Sequence, residues 1–160
     1  MAPRLVYLVT EDWAFWRHRR PMARAARDAG YEVHVITNVS DRADAIRAEG
    51  FTLHPLDMKR GSIAPQAAAQ SIARVRALFK AIQPALIHNV ALQPIVIGSL
   101  AALSAKSVPV VNSIEGLGSV FIAKSLRAQA VRTGLRLALQ RLLNRAQTRT
   151  ISWTSSTDAG

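Results

Sequence analysis

The chain has no cysteine in its 160 residues, which excludes a disulfide framework and thiolate chemistry and fits a reducing compartment. Acidic residues are scarce: 10 Asp and Glu stand against 21 Lys and Arg, a formal net charge of +11. That imbalance predicts polyanionic company, whether phosphates, nucleic acid or an anionic membrane face. Long hydrophobic runs are missing too. No stretch is long and uncharged enough to span a bilayer, and "MAPRLVYLVTED" turns acidic before a signal-peptide core develops. The G-x-G-x-x-G of dinucleotide sites, the G-x-x-x-x-G-K-[ST] phosphate loop and the G-x-S-x-G nucleophile elbow are all absent. His18, His34, His54 and His88 lack metal-ligand spacing, so no metal site is expected. A phospho-receiver domain is also disfavoured. Its third strand would offer only Asp57, and its fifth ends in Asn112 and Ser113 rather than Lys.

What is present is an apolar fraction of 49% in a length suited to one domain with a real core. Apolar runs at "LVYLV", "EVHVIT", "FTLHPL", "ALIHNV", "VPVVNSI" and "RTISW" alternate with segments of helical character. The helices are expected at Phe15–Ala29, Asp41–Glu49, Pro65–Ile82, Pro94–Ala105 and Val120–Ala146. Gly30 and Gly50 sit where C-cap glycines belong, Pro65 suits a first helical turn, and Pro84 closes the helix before it. The alternation predicts an α/β fold, a doubly wound, mainly parallel Rossmann-like sheet. Ligands of such sheets bind at the carboxyl ends of the strands. The loops after the strands therefore carry the chemistry.

The first of these loops, "TEDWAFWRHRRP", packs two carboxylates, three aromatic rings and four basic side chains into residues 10–21. Trp13, Phe15 and Trp16 either cap the core or contact an interface, since Trp beside Arg suits a headgroup boundary. Arg17, His18, Arg19 and Arg20 form a solvated helix face or, at a helix N-terminus, a diphosphate site. Glu11 and Asp12 either cap the helix or meet a substrate, one role expected for each. After the fourth strand, His88, Asn89 and Gln93 are placed on the cleft, although a lone His at a strand end is more often structural. After the fifth, Asn112 precedes "EGLGS". There Gly116 and Gly118 let backbone amides approach a phosphate or sugar, and Glu115 is either a surface acid or a base for an attacking hydroxyl.

Seven bases and no acid lie between Phe121 and Arg149. The segment carries an apolar arc of Val131, Leu135, Ala138, Leu139, Leu142 and Leu143. Arg127, Arg141 and Arg145 flank the arc on one side, and Arg132 and Arg136 on the other. Most such arcs are packing faces, but one without acids also fits a membrane surface.

Taken together, "HRRPMARAARDAGYEVHVIT", "RGSIAP" and "HNVALQPIVIGSLAALSAKSVPVVNSIEGLGSVF" resemble the N-terminal domain of family 4 (GT-B) glycosyltransferases, over about Arg4 to Ile151. The closest subset in pattern extends polyprenyl-diphosphate-linked sugars for bacterial surface polysaccharides, including lipopolysaccharide. The resemblance implies the acceptor-side domain of a retaining, metal-independent hexosyltransferase. Its donor would be a nucleotide-sugar co-substrate, with no bound cofactor, and its acceptor a lipid-diphosphate-linked sugar. Glu11, Asp12, His18, Arg19, His88, Asn89, Gln93, Asn112, Gly116 and Gly118 would bind substrate, and Glu115 would be the catalytic candidate. Trp13, Trp16, Arg127, Arg132, Arg136 and Arg141 would face an anionic membrane, placing the protein on the cytoplasmic side of the cell envelope as a peripheral protein.

Residues 1–150 would form this domain. Residues 151–160, "ISWTSSTDAG", depart from the family pattern, which continues into a donor-binding second domain. The expectation is a catalytically incomplete chain whose donor domain is missing or separate. A non-catalytic membrane-docking subunit is the alternative. A nucleic-acid partner is not expected, because no reading motif accompanies the charge.

Overall fold

The computed structural model of the chain describes residues 1–58, 65–104, 108–114 and 148–152. Six strands form one sheet: β1 (Arg4–Glu11), β2 (Glu32–Asn38), β3 (Thr52–Pro55), β4 (Leu86–Val90), β5 (Val110–Ile114) and β6 (Thr148–Ser152). Their order is β3-β2-β1-β4-β5-β6, and every neighbouring pair is parallel. Parallel strands must be covered on both faces. Accordingly β1 is buried from Leu5 through Thr10.

The alternation of side chains across the sheet sorts the core into two layers. One layer joins Val6, Leu8, Ile36 and Ile87 to Val75, Phe79 and Ile82 of α4 (Pro65–Ile82) and to Ile97 and Ala101 of α5 (Leu92–Ala101). The other joins Leu5, Tyr7, Val9, Val33 and Val35 to three helices. Phe15 comes from α1 (Asp12–His18), Ala23 from α2 (Arg20–Asp28) and Ile46 from α3 (Ala43–Ala48).

The strand pattern, the doubly wound topology and the Pro65–Ile82 helix match the sequence reading. Gly30 and Gly50 take φ of +91° and +80°, the left-handed turn that ends α2 and α3 without a Cβ penalty. Two expectations are corrected. The single helix expected over 15–29 is two, broken at Arg19. Pro21 has no N–H for the carbonyl of Arg17, and its ring would clash with that carbonyl, so a continuous helix cannot pass. The helix expected from Pro94 begins two residues earlier, because a proline in the first turn has no intrahelical partner to lose. The helix expected over 120–146 and the tail over 153–160 lie outside the described residues.

Candidate functional site

The strand order reverses direction between β1 and β4, the position where doubly wound sheets open a crevice for ligands. Asp12 stands at the carboxyl end of β1 and is fully buried. Its Oδ1 accepts the Ser40 hydroxyl at 2.6 Å, and its Oδ2 accepts the Ser40 and Arg42 amides at 2.8 and 2.9 Å. Burial raises its pKa, but these donors together with the Trp13 amide outweigh that, and the carboxyl lies below its ordinary range. Asp12 thus holds down the loop between β2 and α3 instead of offering oxygens to a solute. The expected cap of the first helix is not formed: Glu11 at the N-cap makes no side-chain cap bond, and Asp12 ties down a neighbouring loop instead. Glu11 is half-buried and accepts the Asn38 amide at 3.2 Å, and it remains at the crevice rim.

Behind the rim, on the face covered by α1 and α2, lies a sealed polar cluster. His88 is 5% exposed; its Nε2 sits 2.7 Å from the Ser113 hydroxyl, and its ring tilts against Tyr7 at 5.1 Å. Burial and then the nearby Arg19 push the imidazole down to about 4, so it is neutral at physiological pH. The same burial pushes Tyr7 up to about 12, against the pull of Arg19. Arg19 itself is 4% exposed at the α1–α2 break. The break turns a residue expected on a solvated helix face into the interior.

On the opposite face Asn89 and Asn112 are fully buried, and Asn89 Nδ2 donates to Asn112 Oδ1 at 2.9 Å. Gly98 of α5 lets the helix backbone ride directly over this amide. A methyl there would overlap the Asn89 side chain and lie 2.9 Å from Leu8 Cδ2. The expectation that His88, Asn89 and Asn112 line the open cleft is therefore corrected in position: register pairs β4 with β5 so that these side chains fill the interior.

The link from β4 to α5 is strained. Ala91 has φ +75° and ψ 163°, backbone that is almost exclusive to glycine. It is held there because its N–H donates to the Ser113 carbonyl and its own carbonyl accepts Ile95 N–H, both at 3.0 Å. The strain delivers α5 with its first turn, and Gln93, toward the crevice.

An open cleft of about 250 Å³ lies on that side, lined by Gln93, Asp57 just past β3, and Gln70, Ser71 and Arg74 of α4. Of these, only Gln93 was expected from the sequence. The α4 residues were hidden because polar side chains three and four apart on an amphipathic helix read as its solvated face.

At the outer surface, Trp13 is 42% and Met22 45% exposed. Arg17 and His18 are exposed, and the Arg20 guanidinium covers the Trp16 ring at 4.3 Å. Among the described residues no group of three His, Asp or Glu side chains is placed to hold a metal, and no helix is long and apolar enough to cross a membrane. Glu115, Gly116, Gly118, Arg127, Arg132, Arg136 and Arg141 lie outside the described residues.

Comparison with known folds agrees with this geometry. The crystal structure of a glycosyltransferase from Rickettsia africae ESF-5 superposes with a TM-score of 0.59 at 10% identity, covering 94% of this chain and 43% of that one. MurG of Acinetobacter baumannii gives 0.59 at 14% identity, over 81% of this chain and 39% of that one. UDP-GlcNAc 2-epimerase of Methanocaldococcus jannaschii gives 0.57 at 11% identity, over 92% and 45%. At such identities these establish the fold, one Rossmann-like half of a GT-B architecture, and this chain spans less than half the length of each. No curated protein matches the sequence. Residues 4–152, nearly the whole sequence, match the family described as Glycosyl transferase 4-like, and the chain belongs to that family.

Proposed function

We propose that these 160 residues are the acceptor-side domain of a nucleotide-sugar-dependent hexosyltransferase working on a lipid-diphosphate-linked sugar at the cytoplasmic face of an anionic membrane. The family match over residues 4–152 carries the reading. The crevice at the carboxyl ends of β1 and β4 supports the placement of substrate, with Glu11 at the rim as acceptor for a sugar hydroxyl and His18 exposed at the far end of α1. Exposed Trp13 and Met22 beside Arg17 and the Trp16–Arg20 stack support the membrane contact, since rings flanked by cations suit the headgroup layer. The chemistry is retaining and metal-independent in this reading, and the nucleotide-sugar is held by a second domain, so these residues give no turnover by themselves.

Cosedimentation with vesicles tests it. Anionic vesicles should retain the protein and neutral ones should not, since each basic residue near the surface contributes about 1 kcal/mol of attraction, and salt should weaken that binding. A polyprenyl-diphosphate-linked monosaccharide in the bilayer should raise retention further, and Trp13→Ser should lower it. Equal binding to neutral and anionic vesicles removes the membrane reading, and robust sugar transfer by the purified chain removes the division of labour.

A further inference from the structure

At one edge the sheet ends on β3, and a pair of histidines ties that strand to its neighbour. We propose that His34 and His54 form a proton-operated latch, which holds β3 on the sheet at neutral pH and releases it when the pair takes up a second proton. Alternation with Val33, Val35 and Leu53 puts both rings on the face that α4 covers. His34 Nδ1 lies 3.0 Å from His54 Nε2, the ring centroids are 5.3 Å apart, and the planes differ by 16°. So wide a centroid separation leaves about a ring radius on each side of the contact. The nitrogens therefore meet head-on, nearly in one plane.

Glu32 decides where the hydrogens sit. His34 Nε2 is 3.1 Å from Glu32 Oε1, and a carboxylate only accepts, so this nitrogen carries its hydrogen and Nδ1 keeps a lone pair. His54 Nε2–H donates to that lone pair. A first added proton goes to His54 Nδ1, outside the contact, and makes the bond a stronger, charge-assisted one. A second can only occupy His34 Nδ1. The acceptor is then gone, and two cationic rings point N–H groups at each other across 3.0 Å. Attraction becomes repulsion in one step, which belongs to the pair rather than to either ring.

Few other charges reach the pair. Arg4 of β1 stands behind Glu32, its Nε donating to Glu32 Oε2 at 3.0 Å and its Nη1 to the Ile82 carbonyl at 2.7 Å. α4 packs Val75, Phe79 and Ile82 onto this face and keeps Arg74, Arg76 and Lys80 exposed, as is Asp57 past the end of β3. Burial, opposed at His34 by Glu32, keeps both rings neutral to a lower pH than the ordinary 6.5. The strand they hold has little else along its length. β3 is four residues long, pairs on one side only, and includes Pro55, which has no N–H. Its firm anchor comes after it, where Leu56 N–H donates to the Thr37 carbonyl at 2.9 Å and Leu56 and Met58 enter the core. That anchor lets β3 open locally while the rest of the sheet stays paired.

The test is amide hydrogen exchange of the full 160-residue chain, read by NMR as protection factors, with pH lowered stepwise from 7.5 until global unfolding begins. The open strand takes up a proton that the closed one refuses. Below pH 6.5 the protected amides of residues 52–54 should therefore lose protection relative to β1 by about tenfold per pH unit. His54→Gln should flatten that dependence, because its amide can donate to His34 or, rotated, accept from it, and never becomes charged. His88→Gln should leave it in place, since His88 lies on the other face beside Tyr7. Ring-nitrogen spectra of the unaltered chain give an independent reading that needs no variant. His34 and His54 should titrate in two separated steps, the lower one coinciding with the loss of protection. The proposal is overturned if β3 and β1 lose protection together, if His54→Gln keeps the full pH dependence, or if the two rings titrate independently of each other.

Discussion

The two faces of the sheet handle polarity in opposite ways at the carboxyl edge. Under α1 and α2, Tyr7, Arg19, His88 and Ser113 are sealed from solvent, with the His88 ring against Tyr7 and in a short hydrogen bond with Ser113. Beside α4 and α5, Asp57, Gln70 and Arg74 stand exposed around an open cleft. Buried polarity is committed, since disturbing it leaves desolvated groups without partners. Exposed polarity is nearly free of the fold and available to a ligand. The contrast separates residues that make the domain stable from residues on which its stability does not depend.

Acid should break the sealed side first. The unfolded chain protonates His88 below about 6.5, while the folded chain resists until about 4. Stability present at neutral pH is therefore lost as pH falls through that window, on the order of 3 kcal/mol for the full shift. His34 and His54, also lowered by burial, act with the same sign, and Asp12 extends the loss at still lower pH. Urea unfolding across this range should show a steep slope that His88→Gln flattens. An unchanged slope in that variant would mean the cluster is wet.

Gly98→Ala should cost about 2 kcal/mol, because the new methyl meets Leu8 and an Asn89 amide pinned by Asn112. Calorimetry would read this as a lower Tm, although alanine is the better helix former. Asp12→Ala should cost about 1–2 kcal/mol by releasing the Ser40 and Arg42 amides, with hydrogen exchange speeding up at residues 40–42. Ala91→Gly runs the other way and should gain about 1 kcal/mol in denaturant unfolding by relieving the positive φ. The smallest effect belongs to the open side: Asp57→Asn and Arg74→Gln should each change stability by less than about 0.5 kcal/mol. A larger loss there would erase the distinction between the two faces.

What the sequence disclosed follows the same division between local and distant causes. Gly30 and Gly50 are legible because a helix stop is written in adjacent residues, and β1 is legible because a doubly covered strand is apolar throughout. The break at Arg19 was also written locally, in Pro21, but the run of basic residues around it read as one continuous solvated face. The role of Asp12 was not legible, since its partners lie 28 and 30 positions away across the sheet edge. Nor was the burial of His88, which depends on the register of β4 against β1 and β5. The cleft was hidden for a third reason: Gln70, Ser71 and Arg74 look like any wet helix surface until Asp57 and Gln93 are brought opposite them.

The strand order also has a consequence for how the chain is made. β1 precedes the other five strands of this sheet in the chain, yet it lies in the interior, between β2 and β4. It gains one neighbour by residue 38, and its other edge must wait for residues 86–90. Pairings this far apart in sequence form slowly, since a long loop must close before any contact rewards it. Throughout that wait "LVYLV" presents an open, apolar edge that another nascent copy can pair with. Yield in the cell should thus depend on how fast β4 arrives, and a substitution that slows its docking would appear first as insoluble protein.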